Sequence, residues 1–134
     1  SKLNEELNKI LSKNNFLYKI AMTHFNVYCS YDKKHCKSQA ESMRSNFEET
    51  IFIHFDLILS GHLHSYERLS PIYKNKLDNS YPLYIVCGSG GNKDPMLSNS
   101  MINNDLSFNA HIFSHHESSG ICELEFNENE VTIN

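Results

Sequence analysis

The chain has 134 residues, 40% of them hydrophobic, and a net charge of −4. That length suits one domain or part of a larger one, and scattered Lys and Arg under an acidic balance exclude the broad basic footprint of a nucleic-acid binder. No stretch approaches the ~18 consecutive apolar residues of a membrane-spanning helix, and no signal peptide is visible, so no membrane partner is expected.

The chain opens Ser1-Lys2-Leu3-Asn4 without an initiator Met, so a cut N-terminus is expected. Leu3, Leu7, Ile10 and Leu11 fall on one helical face among Asn, Glu and Lys. This predicts an amphipathic helix over 2–13, closed by Asn14-Asn15. The apolar run Phe16 to Met22 reads as a buried strand ending at Thr23-His24. Residues 26–37 form a polar loop with Cys29, His35 and Cys36. Ser38 is the expected N-cap of a second helix, with Glu41 completing a capping box, and that helix runs to about Phe55. Leu57-Ile58-Leu59-Ser60 reads as a strand ending at Gly61. Residues 65–80, with Pro71, read as a loop or irregular ribbon. Leu83–Cys87 is a third strand, stopped by Gly88-Ser89-Gly90-Gly91-Asn92. A long polar stretch from Lys93 to about Ala110 follows. Ile121–Phe126 and Val131–Ile133, around Asn127-Glu128-Asn129, make a C-terminal hairpin. The order defines an α/β layered fold, and its few strands need cover from further sheet upstream.

None of the four cysteines forms a Cys-x-x-Cys pair, which argues against a zinc knuckle. Cys29 and Cys36 bracket a short polar stretch, and their spacing leaves a local disulfide and two unpaired thiols both open. Cys87 and Cys122 sit inside apolar runs and read as buried, inert thiols.

The chemistry sits at strand ends. One strand ends at His24 and another runs into Gly61-His62-Leu63-His64. Sites in α/β sheets gather outside the carboxyl ends of strands, so His24, His62 and His64 are placed to converge. Imidazole suits Zn, Fe, Cu and Ni, and each ligating ring needs an orienting partner on its second nitrogen. Asp32, Asp56 and Glu67 are the nearby carboxylates. The other histidines carry weaker signals. His54 reads as a helix C-terminal residue, His111 has no ligand spacing, and His115-His116 read as surface or loop residues. The glycine run at 88–91 fits neither a dinucleotide fingerprint nor a P-loop and reads as a turn passing close to the site.

The block Asp56-Leu57-Ile58-Leu59-Ser60-Gly61-His62-Leu63-His64-Ser65-Tyr66-Glu67-Arg68 resembles the last metal-binding block of purple acid phosphatases, within the calcineurin-like metallophosphoesterases. In that family a strand leads into Gly-His-x-His and then Tyr-Glu-Arg. Met22-Thr23-His24 resembles the family's Val-x-x-His block, with Ala21 in place of Val. Tyr28-Cys29-Ser30, Cys36 and Glu41–Arg44 resemble the loop and helix that follow. Leu83–Asn92 resembles its glycine-rich segment and Ser119–Leu124 its closing strand.

The resemblance implies the C-terminal half of a four-layer αββα metallophosphoesterase sandwich, with residues 1–134 a partial catalytic domain. It implies a binuclear centre of Fe plus a divalent ion (Zn, Mn or Fe), with His24 and His62 on the divalent ion and His64 on the iron. His35 is the candidate contact to substrate phosphate, a solvated loop histidine being the alternative. Tyr66, Glu67 and Arg68 are expected to support the ligands or the fold, Arg68 in a buried ion pair with Glu67 or another carboxylate, a clamp on the substrate phosphate being the alternative. The substrate would be a phosphate monoester and the compartment secreted or lysosomal/vacuolar. The family's Gly-Asp, Gly-Asp-x-x-Tyr and Gly-Asn-His blocks are absent: Asp32, Asp56, Asp78, Asp94 and Asp105 all lack a preceding glycine. The N-terminal half of the same domain is therefore needed for a complete site, and the chain alone is expected to bind metal weakly and not to catalyse. A truncated non-catalytic module, and another metallophosphoesterase such as a phosphodiesterase or nucleotidase, are the alternatives.

Overall fold

The computed structural model describes residues 2–30, 34–91, 111–115 and 119–134, with backbone alone for 34–37 and 111–115. Helix α1, Lys2–Lys13, has the expected bounds. Its ends follow the helix dipole, with Glu5 in the first turn and Lys13 in the last. The Asn14 side chain donates to the Ile10 carbonyl at 2.9 Å, satisfying one of the carbonyls a helix end leaves open. The apolar stripe is only half covered: Leu7 and Leu11 are half-buried, while Leu3 and Ile10 are exposed.

Strand β1 is Ile20–Thr23, shorter than the apolar run suggested. Helix α2, Lys34–Phe47, begins before the expected Ser38 cap and ends well before Phe55. A turn and a single 3-10 helix, Phe52–His54, replace the rest. Strand β2, Leu57–Ser60, is buried along its whole length. Residues 65–80 are not irregular: they hold β3 (Tyr66–Leu69), β4 (Ile72–Tyr73) and β5 (Lys76–Leu77). The tight β4–β5 hairpin puts Lys74 and Asn75 at φ 49° and 60°, the left-handed pair a type I′ turn requires. Strand β6 is Leu83–Cys87 and β7 is His111–His115, so His115 ends a strand rather than lying in a loop. Strands β8 (Leu124–Phe126) and β9 (Val131–Ile133) form the closing hairpin. Asn127 caps its turn by accepting the Asn129 and Glu130 amides at 2.8 and 2.9 Å.

Among the described residues, five strands make one mixed sheet in the order β1-β2-β6-β3-β7. Strands β1, β2 and β6 are parallel, and β3 runs antiparallel to both β6 and β7. The parallel β1–β2 pair is joined through α2, as parallel neighbours require a long crossover. One face packs Ile58, Leu69 and Tyr84 against Val27, Tyr28 and Phe52, with Met43 and Phe47 of α2 beside them. The other face packs Leu57, Leu59 and Ile85 under Leu124 and Ile133 of the hairpin. The Tyr18 hydroxyl donates to the Asn127 carbonyl at 2.8 Å and fastens the hairpin turn to the start of β1. Strand β1 is the outer strand on its side of this sheet, and Met22 on it is 82% exposed.

Cys87 and Cys122 are not thiols: they are bonded to each other across 35 residues, with Cα atoms 6.2 Å apart. The bond fastens the end of β6 to the segment that leads into β8. The apolar runs around both cysteines hide this pairing, because burial alone does not distinguish a thiol from half a disulfide. Cys29 is also disulfide-bonded. The expected partner, Cys36, has its side chain outside the described residues.

Candidate metal centre

The site forms where β1 and β2 end. His24 follows β1 directly and is exposed, and His62 follows β2 by two residues. The Gly61 amide donates to the His24 carbonyl at 3.2 Å, which continues the parallel pairing one step beyond the strands. His62 then turns into the left-handed region at φ 60°. This turn swings its ring toward β1 and brings His62 Nδ1 to 3.2 Å from His24 Nε2. Phe25 braces both rings edge-on, with centroids 4.9 Å from each.

Asn26, 3% exposed, donates from Nδ2 to Ser60 Oγ at 2.9 Å, and the Ser60 hydroxyl donates to the Ile85 carbonyl at 3.3 Å. Further along the loop, Arg44 Nη1 donates to the Val27 carbonyl at 2.7 Å, and the Ser30 amide donates to Glu67 Oε1 at 2.8 Å. Glu67 is fully buried, and its second oxygen has no hydrogen-bond partner. Burial pushes its carboxyl up to about 7, against the lowering effect of Ser30. The expected Glu67–Arg68 pair does not form. Neighbours on a strand face opposite ways, and Glu67 is committed to the Ser30 amide. Arg68 Nε lacks a hydrogen-bond partner. Asp56 sits at the other end of β2, where its Oδ2 accepts the Lys19 amide at 2.7 Å, so it orients neither histidine. Asp32 lies outside the described residues.

His64 is half-buried, two residues beyond His62. Among the described residues, no group of three His, Cys, Asp or Glu side chains suited to one metal forms, and the structure brings together His24 and His62. His35 lies in the first turn of α2, and its side chain is outside the described residues. The glycine run performs the close approach expected of it: Gly88 lies against the backbone of Leu63, between His62 and His64. Asn92 is outside the described residues. Phe25 and Asn26 carry no sequence signal, since neither is a ligand type in a recognised spacing.

The pair fits one ion. The 3.2 Å contact is a hydrogen bond between the rings, one nitrogen carrying the proton, and the same spacing suits two nitrogens at ~2.0–2.1 Å from one tetrahedral metal, which stand about 3.3 Å apart. A cavity of about 510 Å³ opens beside His24, walled by Met22, Leu59, Ile121 and the Cys87–Cys122 bond. A second hollow of about 610 Å³ lies along α2 between Glu41, Arg44, Glu49 and Lys74. It contains no histidine, and Lys74 and Glu49 there are paired with each other.

The chain is a mixed sheet with histidines just past the ends of β1 and β2, α2 on one face and a hairpin on the other. It resembles a purple acid phosphatase from seeds of yellow lupin (Lupinus luteus) with a TM-score of 0.63 at 20% identity, over 99% of this chain and 25% of that one. The likeness to purple acid phosphatases, a hydrolase family, also holds in sequence. Purple acid phosphatase 21 of Arabidopsis thaliana is 42% identical over 57 residues, 42% of this chain and 13% of that protein. Purple acid phosphatase 15 of the same plant is 37% identical over 78 residues, 58% of this chain and 14% of that protein. The plant's Fe(3+)-Zn(2+) purple acid phosphatase 12 is 33% identical over 95 residues, 61% of this chain and 20% of that protein. The matched part of the chain thus spans no more than a fifth of these relatives. No protein-family model matches the chain.

Proposed function

We propose that residues 1–134 form the C-terminal half of a two-metal catalytic domain that hydrolyses phosphate monoesters. His24 and His62 hold the divalent ion (Zn, Mn or Fe), and His64 serves the neighbouring iron. The observation that carries the reading is the 3.2 Å approach of His24 Nε2 to His62 Nδ1 at the ends of adjacent parallel strands. The name of the Fe(3+)-Zn(2+) relative supports the choice of metals.

When bound, such a centre activates water and offsets the charge that develops on the phosphoryl oxygens. The chain's own part is to hold imidazoles in place. The left-handed turn at His62 aims one ring, Phe25 braces both, and Gly88 lets the segment 61–64 seat closely on β6. His35 would touch the substrate phosphate. The N-terminal half of the domain would supply a bridging carboxylate, a tyrosine and an asparagine. Three neutral imidazoles do not balance two multivalent cations, so the chain alone would bind metal weakly and not turn over substrate. Two bonded cysteine sites, at Cys29 and at Cys87–Cys122, favour an oxidising compartment, secreted or lysosomal/vacuolar. No helix among the described residues is long and apolar enough to cross a membrane.

The test compares this chain with a longer form carrying about 150–200 upstream residues, an ordinary domain's worth. The long form should bind two metals, hydrolyse a phosphomonoester, and lose both on His62→Ala or His64→Ala. A long form that binds no metal would strip the histidines of their role as ligands.

A further inference from the structure

The geometry points to Asn26 and Ser60 as positioning residues: their buried hydrogen bond, extended to the Ile85 carbonyl, sets the separation of the His24 and His62 rings. The inference rests on reading those histidines as ligands of one ion.

Asn26 lies two residues after His24, and Ser60 lies two residues before His62. They are 3% and 8% exposed. Directions in the relay are mutually consistent. The Ser60 hydroxyl gives its one proton to Ile85, so its lone pair is free to accept from the Asn26 amide. The relay crosses from the segment after β1, over β2, to β6. The Gly61 amide to the His24 carbonyl extends the β1–β2 backbone ladder by one step, and beyond it the two backbones diverge. The Asn26–Ser60 bond adds a side-chain tie to that ladder, joining the segment just after His24 to the residue two before His62. The loop's other hydrogen bonds, Arg44 to Val27, Glu67 to Ser30 and Thr23 to Phe25, attach it to α2, β3 and β1, while Val27 and Tyr28 pack in the core with Ile58 of β2. His24 and Phe25 are themselves exposed, so core packing does not hold them. Beside the β1–β2 ladder and the Phe25 contacts, the Asn26–Ser60 bond is a buried side-chain tie between the segments that carry His24 and His62.

The test uses the 134-residue chain, proton NMR of its histidine rings, and Zn(II) alone as the probe. Asn26→Ala and Ser60→Ala should each abolish the ring-to-ring cross-peak between His24 and His62. Each should weaken Zn(II) binding about tenfold, in the range for partners that orient ligands from outside the coordination sphere. The double variant should be no weaker than either single one, because both remove the same relay. Ser60→Thr, which keeps the hydroxyl, should retain the cross-peak and the affinity, a rescue that general loosening of the core would not produce. If Asn26→Ala does not fold, Ser60→Ala against Ser60→Thr decides by itself. An unchanged cross-peak and unchanged affinity in the alanine variants, or losses that add in the double variant, overturn the inference. His24→Ala and His62→Ala test the reading beneath it. If they leave Zn(II) binding unchanged, the ligand assignment falls, while the cross-peak still decides the clamp.

Discussion

The backbone of Gly88 lies so close to Leu63 that a Cβ at position 88 would overlap the Leu63 carbonyl oxygen and stand 2.7 Å from its carbon. The same glycine donates its amide to the Ser65 carbonyl at 2.9 Å, so the contact cannot open without breaking a hydrogen bond. Leu63 is the residue between two of the candidate ligands, and a shift there moves both. Gly88→Ala should therefore destabilise by about 1–3 kcal/mol, the usual range for forcing atoms into a packed interior. Urea unfolding measures the loss, and the His62 ring resonances should move with it. Equal stability in the variant would mean the two backbones can separate at no cost.

The Cys87–Cys122 bond closes a loop of 35 residues. Restricting an unfolded chain by a loop of that length is worth about 3–4 kcal/mol in the entropic account. Cys87→Ser with Cys122→Ser should lower the unfolding free energy by that order. It should also loosen the hairpin, because the bond joins its approach to β6. Hydrogen exchange at the β8 and β9 amides would register the second effect separately from the first.

Glu67 gives the fold a pH dependence of unusual sign for a carboxylate. Its folded-state carboxyl, raised to about 7 by burial, keeps its proton where an unfolded glutamate of pKa 4.5 has released it. Its contribution is thus complete below pH 4.5 and is lost as pH rises toward 7, by roughly 3 kcal/mol. Glu67→Gln keeps the shape and an oxygen to accept the Ser30 amide, and carries no charge. Thermal melts from pH 4 to 8 should show the wild-type chain falling relative to this variant across that window. Parallel curves would show that the carboxyl titrates normally.

Tyr28 and Glu48 form a second buried polar link, on the α2 face. The Tyr28 hydroxyl donates to Glu48 and accepts the Asn75 amide at 3.3 Å, while Glu48 also accepts the Lys74 amide at 3.2 Å. Burial, then the Glu48 carboxylate, holds the phenol well above its ordinary value, so it stays a donor at any working pH. Tyr28→Phe leaves Glu48, 6% exposed, short of one partner. The expected loss is about 1–3 kcal/mol, the penalty for an orphaned buried polar group. Denaturant unfolding checks it, and an unchanged midpoint would refute it.

Parts of this architecture stand plainly in the sequence. Helix α1 and strands β2 and β6 have the expected bounds because an amphipathic stripe and two continuous apolar runs leave one reading each. The pairing of His24 with His62 follows from the same strands, since both histidines lie just past strand ends. Strand β3 is hidden because Tyr66-Glu67-Arg68-Leu69 has the polarity of a solvated segment. Its inward positions are Glu67 and Leu69, and a buried carboxylate satisfied by a distant amide has no local signature. Helix α2 starts at Lys34, ahead of the cap that Ser38 offers in the sequence, and stops at Phe47 where the chain must turn to bury Phe52. The Cys87–Cys122 pairing and the Asn26–Ser60 bond join residues 35 and 34 apart, and only the assembled sheet sets them side by side.

His62 stands at φ 60°, a backbone setting that glycine adopts freely and that a residue with a Cβ holds at a cost of about 1 kcal/mol or more. Changing it to glycine would relieve the main chain and remove an imidazole in one step. A selection for heat resistance alone would weigh that relief against the loss of the ring's contacts with His24 and Phe25. On the proposed reading of His62 as a ligand, the position is a point where backbone ease and ligation pull in opposite directions. A lineage freed from any need for metal would be expected to lose the histidine there before it lost the sheet.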